Sequence, residues 1–116
     1  MAELHPDAVR AYHAHVYYEP DTRAVAAELR SRLGELFPVQ LGRWHDVPVG
    51  PHSRGMYQVL FAPDVFAALL PWLMLNRHGL DILVHPETGD ERADHTAHAL
   101  WLGTGLPLRL EALQAH

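Results

Sequence analysis

Tyr12-His13-Ala14-His15-Val16-Tyr17 sets two imidazoles two residues apart in a run of aromatic and β-branched residues. In an extended strand such residues point to one side, roughly 7 Å apart at the backbone. Rings at that spacing can converge on one ion, and neutral imidazole is the commonest protein metal ligand. His85 ends a second run of strand character, Leu80 to His85. A third imidazole from that strand would complete a facial site with coordination positions left open. The ordinary alternative is a set of unrelated surface histidines.

Composition narrows the chemistry. Ten histidines among 116 residues are many, and they are spread along the chain, unlike a purification tag. The chain has no cysteine, which excludes disulfides, thiolate zinc sites, iron–sulfur clusters and cysteine nucleophiles. All nine basic residues are arginine, so neither Schiff-base chemistry nor a P-loop lysine is available. With a formal charge of −5 and its arginines scattered singly, the chain is not expected to bind nucleic acid. Hydrophobic residues at 48% and charged residues at 20% are those of a globular domain, and the length suits one domain spanning 1–116. No apolar run reaches the roughly 18 residues that would cross a membrane. Met1 to Arg10 is acidic and polar, unlike a signal peptide, so a cytoplasmic location is expected.

The elements that would position these residues follow from periodicity. Tyr12 to Tyr18 reads as a strand. Asp21 is a candidate cap for a helix whose Val25, Leu29, Leu33 and Leu36 form one stripe, closed by Pro38. Val39 to Trp44 reads as a second strand. Asp46 to Gly55 is a loop with prolines and glycines, and Met56 to Ala62 is a third strand. Pro63-Asp64 opens a second helix with Phe66, Leu69, Leu70 and Leu73 buried; Pro71 either kinks it or restarts it. Gly79 stops it, and Leu80 to His85 is a fourth strand.

This order, βαββαβ, predicts an α+β, ferredoxin-like plan. The crossover rule places the first and third strands at the centre of a four-stranded antiparallel sheet with both helices on one face. The core would span about 12–85, with 86–116 as a C-terminal extension. In that extension Asp94 is a candidate cap for a short helix through Leu102, and Leu106 to Leu110 a candidate fifth strand. Alternation assigns Ala14, Val16, Tyr57, Val59, Phe61, Leu80, Ile82 and Val84 to the helix-covered face. His13, His15, Tyr17, Gln58, Asp81 and His85 then share the opposite face, with Met56, Leu60 and Leu83. Antiparallel pairing brings His85 beside His13. Exposure of the three apolar residues there predicts a homodimer.

Other residues carry paired readings. Asp81 either orients an imidazole or is an exposed strand carboxylate. Tyr17 is either a packing residue or an acid of the site. His52 reaches the other histidines only if the loop Asp46 to Gly55 folds back over the sheet. Asp94-His95 is either a carboxylate–base pair or a helix cap with its neighbour. His5, His45 and His116 read as surface residues. No Ser/His/Asp order, paired-carboxylate signature or Gly-rich phosphate loop is present.

Several segments together resemble the DOPA 4,5-dioxygenase family. They are Tyr12 to Tyr17, Val49-Gly50-Pro51-His52, Leu75-Asn76-Arg77 with Gly79-Leu80, Val84-His85-Pro86 with Thr88-Gly89-Asp90, and Asp94-His95-Thr96 with Ala99 to Gly103. The resemblance runs from about Tyr12 to Gly103. It implies a ferredoxin-like dimer that opens the ring of DOPA, or a related catechol, with O2. It also implies Fe(II) at His13, His15, His85 and His52, the positions that match the family's recurrent histidines.

Such a site must accept both catechol oxygens and O2 at its open positions. His95, or whichever of His13 and His52 is not a ligand, would move protons. Tyr17 and Arg77 are the candidate substrate contacts, Arg77 through a bidentate pairing with the substrate carboxylate. The alternative for Arg77 is a surface arginine at a helix C-terminus. Because zinc also favours imidazole, zinc is the alternative ion for purified material. No carboxylate ligand stands out, a departure from the common pattern of two histidines and one carboxylate. Two other classes share the fold: a metal- or small-ligand-binding dimeric domain without turnover, and a dimeric monooxygenase or isomerase.

Overall fold

In the computed structural model, residues 3–113 are described. Their regular elements are β1 (Tyr12–Tyr17), α1 (Arg23–Leu36), β2 (Gln40–His45), β3 (Met56–Phe61), α2 (Phe66–Asn76), β4 (Ile82–Pro86), α3 (Glu91–Asp94) and β5 (Leu100–Leu102). Five strands form one antiparallel sheet in the order β2-β3-β1-β4-β5. β1 and β3 are interior, as expected. The sheet has five strands rather than the expected four, because β5 pairs Leu100 to Leu102 along β4.

The helices pack on one face because their stripes match it. Ala26, Leu29 and Leu33 of α1 and Leu69, Leu70 and Leu73 of α2 close on Ala14, Val16, Tyr57, Val59, Phe61, Ile82 and Val84. α2 runs through Pro71. α1 and α2 are each preceded by a 3-10 turn that starts with proline, Pro20–Thr22 and Pro63–Val65. Asp21 therefore lies inside the first turn, and Thr22 stands at the N-cap position of α1.

Three expectations change on the other face. Met56 and Leu83 are buried and Leu60 is half-buried. Met56 and Leu83 pack with Tyr17 under Val49 of the β2–β3 loop, Trp101 of β5, and Leu106 and Leu108 of the C-terminal segment. The backbone N–H of Arg109 donates to Pro51 O at 2.8 Å, joining that segment to the loop. The chain thus covers much of its own second face, and a homodimer argued from exposure of these residues loses its ground. The C-terminal extension also differs from the expected pattern. The cap of α3 is Asp90, whose side chain accepts from Ala93 N, while Asp94 ends the helix. Leu106 to Leu110 forms no strand; a 3-10 turn spans Leu110–Ala112. Among the described residues no helix is long and apolar enough to cross a membrane.

Candidate metal centre

Register puts the imidazoles together. His13 faces His85 across the β1–β4 ladder, and His15 faces Leu83 one pleat further along. The His13 and His85 rings are 5.0 Å apart between centroids, and those of His15 and His85 5.1 Å. His15 and His85 are buried, while His13 is half-buried. Among the described residues these three can each offer a ligand atom, with the atoms all within 4.8 Å of one another.

The β2–β3 loop does fold back. His52 is buried, and its ring lies 4.2 Å from that of His15. Its Nδ1 is 2.6 Å from Tyr17 Oη. His95 also reaches the cluster, 4.0 Å from the His85 ring and 6.2 Å from that of His15. Five of the ten histidines in the sequence therefore meet at one place.

Hydrogen bonds decide which ring nitrogens keep a lone pair. His85 Nδ1 is 2.9 Å from Pro86 O, which can only accept, so Nδ1 carries the proton and Nε2 is bare. His95 Nδ1 is 2.7 Å from Glu91 O, so its Nε2 is bare on the same reasoning. His15 Nε2 lies 3.0 Å from His85 Nε2. The remaining nitrogen of His15, Nδ1, is buried and has no partner.

A cation fits this donor set. Two nitrogens bound side by side at about 2.0–2.1 Å from one ion lie about 2.8–3.4 Å apart, depending on the bond angle. The 3.0 Å separation of His15 and His85 falls in that range. Without an ion, His15 Nε2–H donates to the bare His85 Nε2 across the same gap.

Burial also keeps the rings neutral. It is the largest influence on each. His85 is pushed down to about 3, with His95 adding to the effect and the Pro86 carbonyl opposing it. Burial, with the positive charge that His95 would carry, lowers His13 to about 4. His52 likewise falls to about 4 through burial, His95 and His45. His15 lies well below its ordinary value, through burial and then His52, His85, His13 and His95. At neutral pH the rings of His13, His15 and His85 therefore have a lone pair to offer, with no proton competing for it. Burial raises the Tyr17 phenol, so it remains a hydrogen-bond donor.

The other candidates are placed as follows. Asp94 does not orient His95. It accepts from Thr88 N at 2.8 Å, Thr88 Oγ1 at 2.7 Å and His98 Nδ1 at 3.1 Å. Burial pushes the Asp94 carboxyl up, but the Thr88 bonds and His98 outweigh it and the net shift is downward. Asp94 thus pins the turn on which His95 is mounted.

Asp81 accepts from Thr104 N at 2.8 Å, which fixes the approach to and exit from the β4–β5 pair rather than an imidazole. Arg77 follows α2 in the helical layer, where its Nη1 donates to Met74 O at 3.2 Å. It is not brought to the histidines. His5 is exposed and caps a 3-10 turn, His45 is half-buried at the end of β2, and His116 lies outside the described residues.

Glu87 escaped the sequence reading. Its Oε1 is 3.2 Å from His13 Nδ1 and 3.7 Å from His85 Nδ1. The signal was alternation itself: Glu87 is two residues beyond His85 and returns to its face.

The profile of the Dopa 4,5-dioxygenase family matches residues 12–112. A DOPA 4,5-dioxygenase of Amanita muscaria is 34% identical over 114 residues, covering 90% of this chain and 50% of that protein. An uncharacterised 21.2 kDa protein of Botryotinia fuckeliana is 38% identical over 116 residues, covering 90% of this chain and 63% of its own length. The chain thus spans between half and two thirds of these curated relatives. A crystal structure of a proposed dioxygenase from Nostoc punctiforme superposes with a TM-score of 0.94 at 55% identity, covering 95% of this chain and 96% of that one.

Proposed function

We propose, from the premise that the chain belongs to the Dopa 4,5-dioxygenase family, that it is an iron(II)-dependent extradiol dioxygenase acting on DOPA or a related catechol. The observation that carries this reading is the facing pair of ring nitrogens, His15 Nε2 and His85 Nε2, 3.0 Å apart beside His13. The βαββαβ order with β1 and β3 inside supports a ferredoxin-like core, to which β5 is an addition.

His13, His15 and His85 would hold the ion through three nitrogens, leaving positions for small ligands. Bound there, iron(II) would supply Lewis acidity toward the catechol oxygens and the redox chemistry that O2 requires. The remaining work falls to the protein. His95 has its Nδ1 committed to Glu91 O, so its Nε2 is free to take the catechol proton. His52 is the second proton-handling group. When Tyr17 donates to His52 Nδ1, the His52 proton sits on Nε2, where it can donate a hydrogen bond into the site; to pass that proton on, the ring must take the Tyr17 proton at Nδ1. Tyr17 then acts by fixing that tautomer and by walling the substrate side, stacked on Trp101 at 5.7 Å. Burial of His15, His52, His85 and His95 excludes bulk water around these transfers.

The test is direct. Protein loaded with iron(II) without oxygen is given DOPA and simpler catechols, then air. O2 uptake with a yellow, conjugated semialdehyde product supports the reading. Metal binding without O2 uptake or colour supports a binding module without turnover.

A further inference from the structure

The first strand continues pairing beyond its formal end. Glu87 N–H donates to Ala11 O at 2.8 Å, and Arg10 N–H donates to Glu87 O at 2.9 Å. These bonds fix the Glu87 backbone in the strand direction, so its side chain returns to the His85 face. There its Oε1 is 3.2 Å from His13 Nδ1. His85 Nδ1, at 3.7 Å, is already held by the Pro86 carbonyl at 2.9 Å. The carboxylate's main partner is therefore His13. Of the three clustered histidines, His13 is the least buried and has no backbone carbonyl fixing its ring.

We infer that Glu87 is a positioning residue for the metal centre: it accepts the His13 Nδ1 proton and so turns the bare Nε2 toward His15 and His85. The inference rests on the reading of His13, His15 and His85 as ligands. The chemistry is general. A ligating imidazole that donates its other N–H to a carboxylate is fixed in tautomer and orientation and becomes more basic. β1 thus carries the ring, and the continuation of β4 carries the group that aims it.

Zinc affinity, measured by chelator competition at pH 7.5, tests this. Glu87→Ala should bind zinc about 10–100-fold more weakly than wild type. Glu87→Gln, which keeps an oxygen acceptor without the charge, should fall between the two. Because Glu87 acts through His13, adding Glu87→Ala to His13→Ala should cost little more than His13→Ala alone. The metal-free Glu87→Ala protein should unfold at the wild-type urea concentration, since the carboxylate is 36% exposed and serves the site rather than the core. Wild-type affinity in Glu87→Ala, or an undiminished loss on the His13→Ala background, would overturn the inference alone. Absence of zinc binding by the wild type would overturn the metal reading and this inference with it.

Discussion

Lowering the pH should destabilise the metal-free protein well before its carboxylates titrate. His15, His52 and His85 are 3%, 4% and 1% exposed, and burial lowers the affinity of each for a proton. In the unfolded chain each titrates near 6.5. Between that value and the folded values of about 4 for His52 and about 3 for His85, the unfolded chain holds more protons than the native one. Stability is therefore fully present above about pH 6.5 and is lost as the pH falls below it.

At pH 5.5, one unit down, each ring that stays neutral in the native state costs about 1.4 kcal/mol. Three rings give roughly 4 kcal/mol, a large part of the 5–15 kcal/mol of an ordinary domain. His13 is left out of the sum because solvent reaches it. With a urea slope of about 2 kcal/mol/M, the unfolding midpoint should drop by about 2 M between pH 7.5 and pH 5.5. Equal midpoints at the two pH values would show that the rings charge freely in the native state, and would refute the packed, neutral cluster.

Substitution separates the histidines. His15→Ala and His85→Ala should each lower zinc content far more than His5→Ala or His45→Ala, measured by elemental analysis after dialysis; equal contents would remove the three-histidine assignment. His95→Ala should keep its metal and lose roughly 10²–10⁴-fold in catechol turnover, as a proton-transfer group does; loss of metal would make His95 a ligand. Gly55→Ala should destabilise by about 1–3 kcal/mol in urea unfolding. Its added Cβ would meet Tyr18 Cζ at 2.8 Å, and that ring is held by bonds from its hydroxyl to His45 O and Asp46 Oδ1. Unchanged stability would show that Tyr18 moves freely.

What the sequence revealed was what period-two alternation controls. His13 opposite His85, and the helix stripes on the other face, follow from side chains alternating along paired strands. What it hid depends on loops, whose paths no periodicity records. His52 entered the cluster because the β2–β3 loop is tied to the C-terminal segment through Pro51 and Arg109. The extension was misread because Asp90, rather than Asp94, caps α3, which shifts the following strand to Leu100–Leu102. That shift brings Trp101 over Leu83 and Tyr17 and closes the face that looked open. Arg77 was drawn to the site by family resemblance alone, and its place at the end of α2 is the ordinary one for an arginine beside free helix carbonyls.

Anomalous diffraction at the zinc edge, from crystals soaked in zinc, tests the metal centre most directly. One peak is predicted per chain, about 2.0–2.1 Å from His15 Nε2 and His85 Nε2 and within bonding reach of His13. No peak at the cluster, or one bound elsewhere on the chain with these three rings left in mutual contact, would contradict it.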